Sequence, residues 1–190
     1  MAQTLFKLFF TRRLAALAST ESLRAIREGL LWILPCLLVS AGFLLLSECA
    51  RILDFPPPLV AFLAGLHAKI SSVIPLLVAA SIGYMLAIQH RLPQLPVAFL
   101  CLAHVVIATF VLRDYPRASA TFVLFIAIAS PLINVPAIAW LHRWRWTRLV
   151  NEDLVGHNLK GTVNMVVPGA ITALLLVVIL SLLLQVPHVV

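Results

Sequence analysis

Five long stretches of this chain contain no aspartate, glutamate, lysine or arginine: 29–47, 70–90, 92–112, 118–142 and 161–190. A helix needs about 20 mostly apolar residues to cross roughly 30 Å of hydrocarbon. Inside lipid, only helices and closed barrels satisfy every backbone N–H and C=O internally. The expected fold is therefore all-α: a polytopic membrane helix bundle of about five transmembrane helices, with spans near 29–47, 70–90, 95–112, 119–141 and 163–186. Composition agrees, with 62% hydrophobic and 11% charged residues against about 45–50% and about 25% in soluble domains. A mean hydropathy of +1.06 leaves more apolar surface than a water-soluble fold can hide.

Basic residues accumulate on the cytoplasmic side of membrane proteins, so counting them in the short connections orients the chain. With the N-terminus in the cytoplasm, ten of the 14 Lys and Arg lie inside; Arg51, Lys69, Arg113 and Arg117 lie outside. That topology leaves the C-terminal end of the chain outside. Residues 1–28 mix Phe6, Phe9, Phe10, Leu14 and Leu17 with Lys7, Arg12 and Arg13, a pattern suited to a cytoplasmic, interfacial amphipathic segment. Behind those cations the apolar run is too short for a secretory signal, so the segment is expected to be retained. Residues 29–190 form the membrane domain. The uncharged interval 55–68 is shorter than a span and opens on Pro56, Pro57 and Pro58; it is expected to be a connector with a short re-entrant or interfacial helix.

The formal charge of +7 does not imply nucleic acid, because the cations are scattered between apolar segments rather than gathered on a polar domain. Cys36, Cys49 and Cys101 form no CxxC pair, so neither a disulfide nor a metal site is expected. The histidines other than His104, namely His67, His90, His142, His157 and His188, fall in loops or at span ends without metal-ligand spacing. No expected span carries a carboxylate and no glycine-rich phosphate loop is present. The chain by itself is thus not expected to be an enzyme, and no cofactor is implied.

Five groups of residues stand out within or beside the spans. Pro35, Pro75, Pro131, Pro136 and Pro168 each remove a helical donor, and kinks are expected there. Ser130 and Asn134 lie among two of these prolines in the fourth span, where they would either line a substrate site or hydrogen-bond between helices. His104 is the ionisable group nearest the centre of a span, a proton or ligand contact in one reading and a neutral histidine bonded to a neighbouring helix in the other. The run Trp140, His142, Arg143, Trp144, Arg145 and Trp146 follows the fourth span; indoles alternating with guanidiniums can stack bases, but here they read as an interface anchor in the lipid bilayer. Ala79 with Gly83 and Gly169 with Ala173 are small pairs four apart, which allow close approach of helices within one chain or between two.

The stretch Leu23-Arg24-Ala25-Ile26-Arg27-Glu28-Gly29, then Leu34-Pro35 and Ser40 to Leu46, resembles the opening of a bacterial sugar permease of the phosphotransferase system, enzyme IIC of the lactose/cellobiose type. Residues 161–169, Gly-Thr-Val-Asn-Met-Val-Val-Pro-Gly, resemble that family's stretch before its fifth helix. The resemblance extends from about Ser22 to about Gln185. It implies the scaffold and dimerisation half of such a permease, a homodimer in the bacterial inner membrane, with a carbohydrate ligand held by a second half. The chain stops where that half is expected to begin. Asn134 and Pro136 are not the family's Asn-Glu-Pro motif, since no Glu separates them, and no sugar-binding residue carries over. Two functions remain open. One is a membrane anchor or sensor for a bacterial signalling protein, such as a cyclic-di-GMP phosphodiesterase; the other is a fragment or subunit of a disaccharide permease.

Overall fold

A computed structural model describes residues 20–112, 120–144 and 161–185. It contains five long helices: α1 (Thr20–Ile52), α2 (Pro57–Gln89), α3 (Gln94–Val111), α4 (Ala120–His142) and α5 (Val166–Gln185). All five are long and apolar enough to cross a membrane, and no strand occurs among the described residues. The chain is an all-α, multi-pass membrane protein. The segment 1–19, together with Arg145 and Trp146, lies outside the described residues.

The connector expected over 55–68 is instead the start of α2. Pro56 caps that helix, and Pro57 and Pro58 occupy its first two positions, where a missing N–H costs no intrahelical bond and the fixed φ suits helix. From there α2 continues past Lys69 to Gln89 as one helix of 33 residues, and α1 is equally long. Each is about 50 Å long at 1.5 Å per residue, well beyond a hydrocarbon core of roughly 30 Å. Nor do the interior prolines break their helices: Pro35, Pro75, Pro131 and Pro136 all lie within continuous helix.

Helix α2 is the centre of the bundle, packed against α1, α3 and α4, while α5 sits against α3 and α4. Its buried residues all fall between Val78 and Ala87, and they join Ile33, Val97, Cys101, Val105, Val135 and Ile138 in one core. Small residues set the spacing. A Cβ on Gly83 would lie 2.6 Å from Cys101 Sγ, and one on Gly29 would lie 2.9 Å from Ile82 Cγ1. The Gly83 and Gly169 positions foreseen as close-approach points are thus used within the chain, against α3 in both cases.

The register of these contacts makes the first hairpin long. Gly29 faces Ile82 and Ser40 faces His67 and Ser71, so α1 and α2 are antiparallel throughout. Gly83 faces Cys101, which puts the end of α3 level with about residue 73 of α2. The first part of α2, with the end of α1 beside it, therefore extends past α3 as a two-helix arm. Lipid-facing residues such as Leu38, Leu45, Phe62, Phe99, Phe110 and Leu174 are more than 60% exposed, as expected where lipid rather than water covers the surface.

Candidate functional site

Several hydroxyls in the spans bond their own helix. Ser47, Ser72, Ser81 and Thr109 each donate to the carbonyl three residues earlier, which satisfies the group without a partner helix. Two histidine centres behave differently and link helices.

The first is His104, 1% exposed on α3. Its Nδ1 lies against the carbonyl oxygen of Leu100, one turn earlier. A carbonyl only accepts, so Nδ1 carries the hydrogen. Its Nε2 lies 3.1 Å from Thr172 Oγ1 on α5, and that hydroxyl is also 3.0 Å from the carbonyl oxygens of both Pro168 and Gly169. One turn away, Gly169 packs flat against Leu100; a Cβ there would lie 2.5 Å from Leu100 Cδ2. Helices α3 and α5 thus meet through an apolar contact and a polar one side by side, both in the interior.

The second centre joins α1 to α2. His67 Nδ1 is 2.9 Å from Ser40 O and 3.0 Å from Ser40 Oγ, and Ser40 Oγ is 3.0 Å from Ser71 Oγ. The carbonyl contact again requires Nδ1–H. Ser40 therefore has no basic nitrogen at Nδ1 to take its proton, and the pair is a helix link rather than an activated nucleophile.

Of the residues foreseen from sequence, His104 is tied to a neighbouring helix. Ser130 and Asn134 are both buried, but Asn134 Nδ2 donates to Ser130 Oγ at 2.9 Å, a bond within α4 that fits the reading in which the pair satisfies polar groups near the prolines. Trp140 and Trp144 pack on each other, ring centres 4.7 Å apart and both exposed, with exposed Arg143 beside them. This placement suits an interface anchor. Thr172, Ser40, His67 and Ser71 were not singled out by sequence reasoning. A hydroxyl one turn beyond Gly169 in a largely aliphatic span was the available signal for Thr172. His67, expected in a loop or at a span end, lies instead inside α2, because the helix runs through Lys69, which reads from sequence as the edge of a span.

Among the described residues no group of three or more His, Cys, Asp or Glu could hold a metal ion. A shallow groove beside the turn between α1 and α2 is lined by Arg51, Asp54, Phe55 and Val60. No family model, curated protein or solved structure matches the chain. Its own geometry defines the class: a multi-pass membrane helix bundle in which two histidine–hydroxyl centres link neighbouring helices.

Proposed function

We propose that this chain is an enzyme IIC-like membrane module acting as anchor, sensor and dimerisation domain of a bacterial signalling protein. In this reading it lies in the inner membrane with its N-terminus in the cytoplasm, and its output belongs to a partner domain or subunit such as a cyclic-di-GMP phosphodiesterase. The observation that carries the reading is how the buried polar groups are used. His67 with Ser40 and His104 with Thr172 spend their hydrogen bonds joining one helix to the next, which suits a bundle that transmits helix position more than one that strips water from a polar solute. The chain by itself then performs no chemistry and phosphorylates no sugar.

The test is a pair of measurements on the protein in proteoliposomes. Disaccharide counterflow should equal that of empty liposomes, and energy transfer between differently labelled copies should report self-association at low protein-to-lipid ratio. Sugar counterflow above background would overturn the anchor reading.

A permease fragment is the second reading. It is favoured by the half-buried cluster of Ser40, His67 and Ser71, because sugar hydroxyls are bound by such donors and acceptors. Chemical-shift changes at His67 on adding a disaccharide would support it.

A further inference from the structure

We propose that His104 is an acid-operated latch: neutral, it holds α5 against α3 through Thr172, and proton binding at Nε2 releases that helix. The inference gives the sensor reading its signal, a proton, but its test reads helix separation directly and stands whether or not any output domain exists.

Because Nδ1–H donates to Leu100 O, a neutral ring has its lone pair on Nε2, and the Thr172 hydroxyl 3.1 Å away donates to it. Protonation puts a hydrogen on Nε2 and reverses the link. Nε2–H then donates to Thr172 Oγ1, and the threonine hydrogen turns to Pro168 O or Gly169 O, both at 3.0 Å. The proton therefore has a binding place and the hydroxyl a place to turn, with every hydrogen accounted for.

Among the described residues packed around it, the protonated state has no counter-charge. Helices α2, α3, α4 and α5 contain no Asp or Glu. The titratable or charged side chains of the helices packed around α3 and α5 are His67, Lys69, Tyr84, Cys101 and His142. His67 is bonded to Ser40, Tyr84 packs on Trp32 at 5.4 Å, and Cys101 lies at Gly83 on α2. Lys69 is exposed towards the other end of α2 from its buried segment, and His142 closes α4. None of them is an anion that would pair with an imidazolium at His104. A buried cation without a partner is strongly disfavoured, more than a charge-assisted bond to a hydroxyl returns. Hydrating the ring removes the penalty, and hydration requires α5 to move.

Helix α5 is the element able to do so. It touches chiefly α3 and α4 and is not among the main neighbours of the central helix α2. Beside the latch Leu100 packs closely on Gly169, so at that point α5 contributes no side chain that interlocks with α3.

The experiment is electron–electron distance measurement on the full chain in lipid nanodiscs. Spin labels replace lipid-facing Val106 on α3 and Leu175 on α5, with the native cysteines changed to alanine. Lowering the pH from about 8 to about 4, through and below the range in which an unburied histidine changes charge, should shift or broaden the distance distribution reversibly by roughly 2 Å or more. His104→Gln should abolish the pH response. Thr172→Val, which keeps the shape and removes the hydroxyl, provides the second test: its distribution at the higher pH should already resemble the acidic one. A wild-type distribution unchanged over the range, or a pH response that survives in His104→Gln, overturns the proposal.

Discussion

Asp54 and Arg91 hold the same backbone position at the ends of two successive helices. Both have positive φ, 53° and 55°, and each closes its helix with the same pair of bonds. Phe55 N–H reaches Ala50 O and Asp54 N–H reaches Arg51 O; Leu92 N–H reaches Ala87 O and Arg91 N–H reaches Ile88 O. This is the Schellman arrangement, which satisfies carbonyls at the helix end. In each case an apolar residue follows, then a proline that caps the next helix. The chain uses one corner twice, at opposite ends of α2.

The two corners differ in strain. Aspartate tolerates the left-handed region, whereas arginine pays a steric penalty there of roughly 1–2 kcal/mol. Arg91→Gly should therefore raise stability by about 0.5–1 kcal/mol, the relief being partly offset by the freer unfolded chain. Arg91→Val should lower it by at least about 1 kcal/mol. Asp54→Gly should change less than Arg91→Gly. Reversible unfolding in mixed micelles, followed by helicity, measures all three.

Helix spacing at Gly83 gives a second expectation. A methyl group at this position meets both Sγ and Cβ of Cys101, at 2.6 and 2.9 Å, so Gly83→Ala should cost about 1–3 kcal/mol through overpacking. Cys101→Ala removes the sulfur but not the Cβ, and should restore part of that loss in the double variant. Gly42 and Gly65 have open space around a would-be Cβ; alanine at either should stabilise by roughly 0.5–1 kcal/mol through helix propensity. A double-mutant cycle on thermal unfolding tests the coupling.

At the α3–α5 contact, Thr172→Val should destabilise the folded bundle by about 0.6–1.7 kcal/mol, the range of side-chain hydrogen bonds measured between membrane helices. Thr172→Ser retains the hydroxyl and should lose less. Gly169→Ala should be worse than Thr172→Val, because its new Cβ would lie within 3 Å of both Leu100 methyl carbons; Leu100→Ala in the same chain should relieve it. Unfolding free energies of the four variants, compared pairwise, decide these orderings.

The five helices were legible in the sequence because each contains a long charge-free run, and the membrane requirement leaves few other folds. Their lengths and register were not. Lys69 looked like a span boundary, yet a long lysine stem can lie along apolar surface with its ammonium towards the interface, and α2 passes through it unbroken. Pro56 to Pro58 read as a break because proline is excluded from helix interiors, although the same residues suit a helix start. His104 was visible as an isolated ionisable group, whereas its partner Thr172, 68 positions away, is fixed by tertiary packing that local patterns do not encode. Ser130 and Asn134 were noticed for their prolines, but their spacing of four already allowed the bond within one helix that the structure contains.

The helix arrangement makes the membrane topology measurable. Cys49 is exposed near the far end of α1, Cys101 is buried against α2, and Arg143 is exposed just past α4. If the N-terminus is cytoplasmic, Cys49 lies at the outer side, because one crossing separates it from the basic start of the chain. In intact cells a membrane-impermeant maleimide should then label Cys49, and Cys49→Ser should abolish that signal. Cys101 should remain unlabelled until the bundle is unfolded. Arg143→Cys in a chain lacking Cys49 should react only after the cells are opened. Labelling of Arg143→Cys in intact cells, with Cys49 protected, would reverse the orientation while leaving the helix arrangement intact.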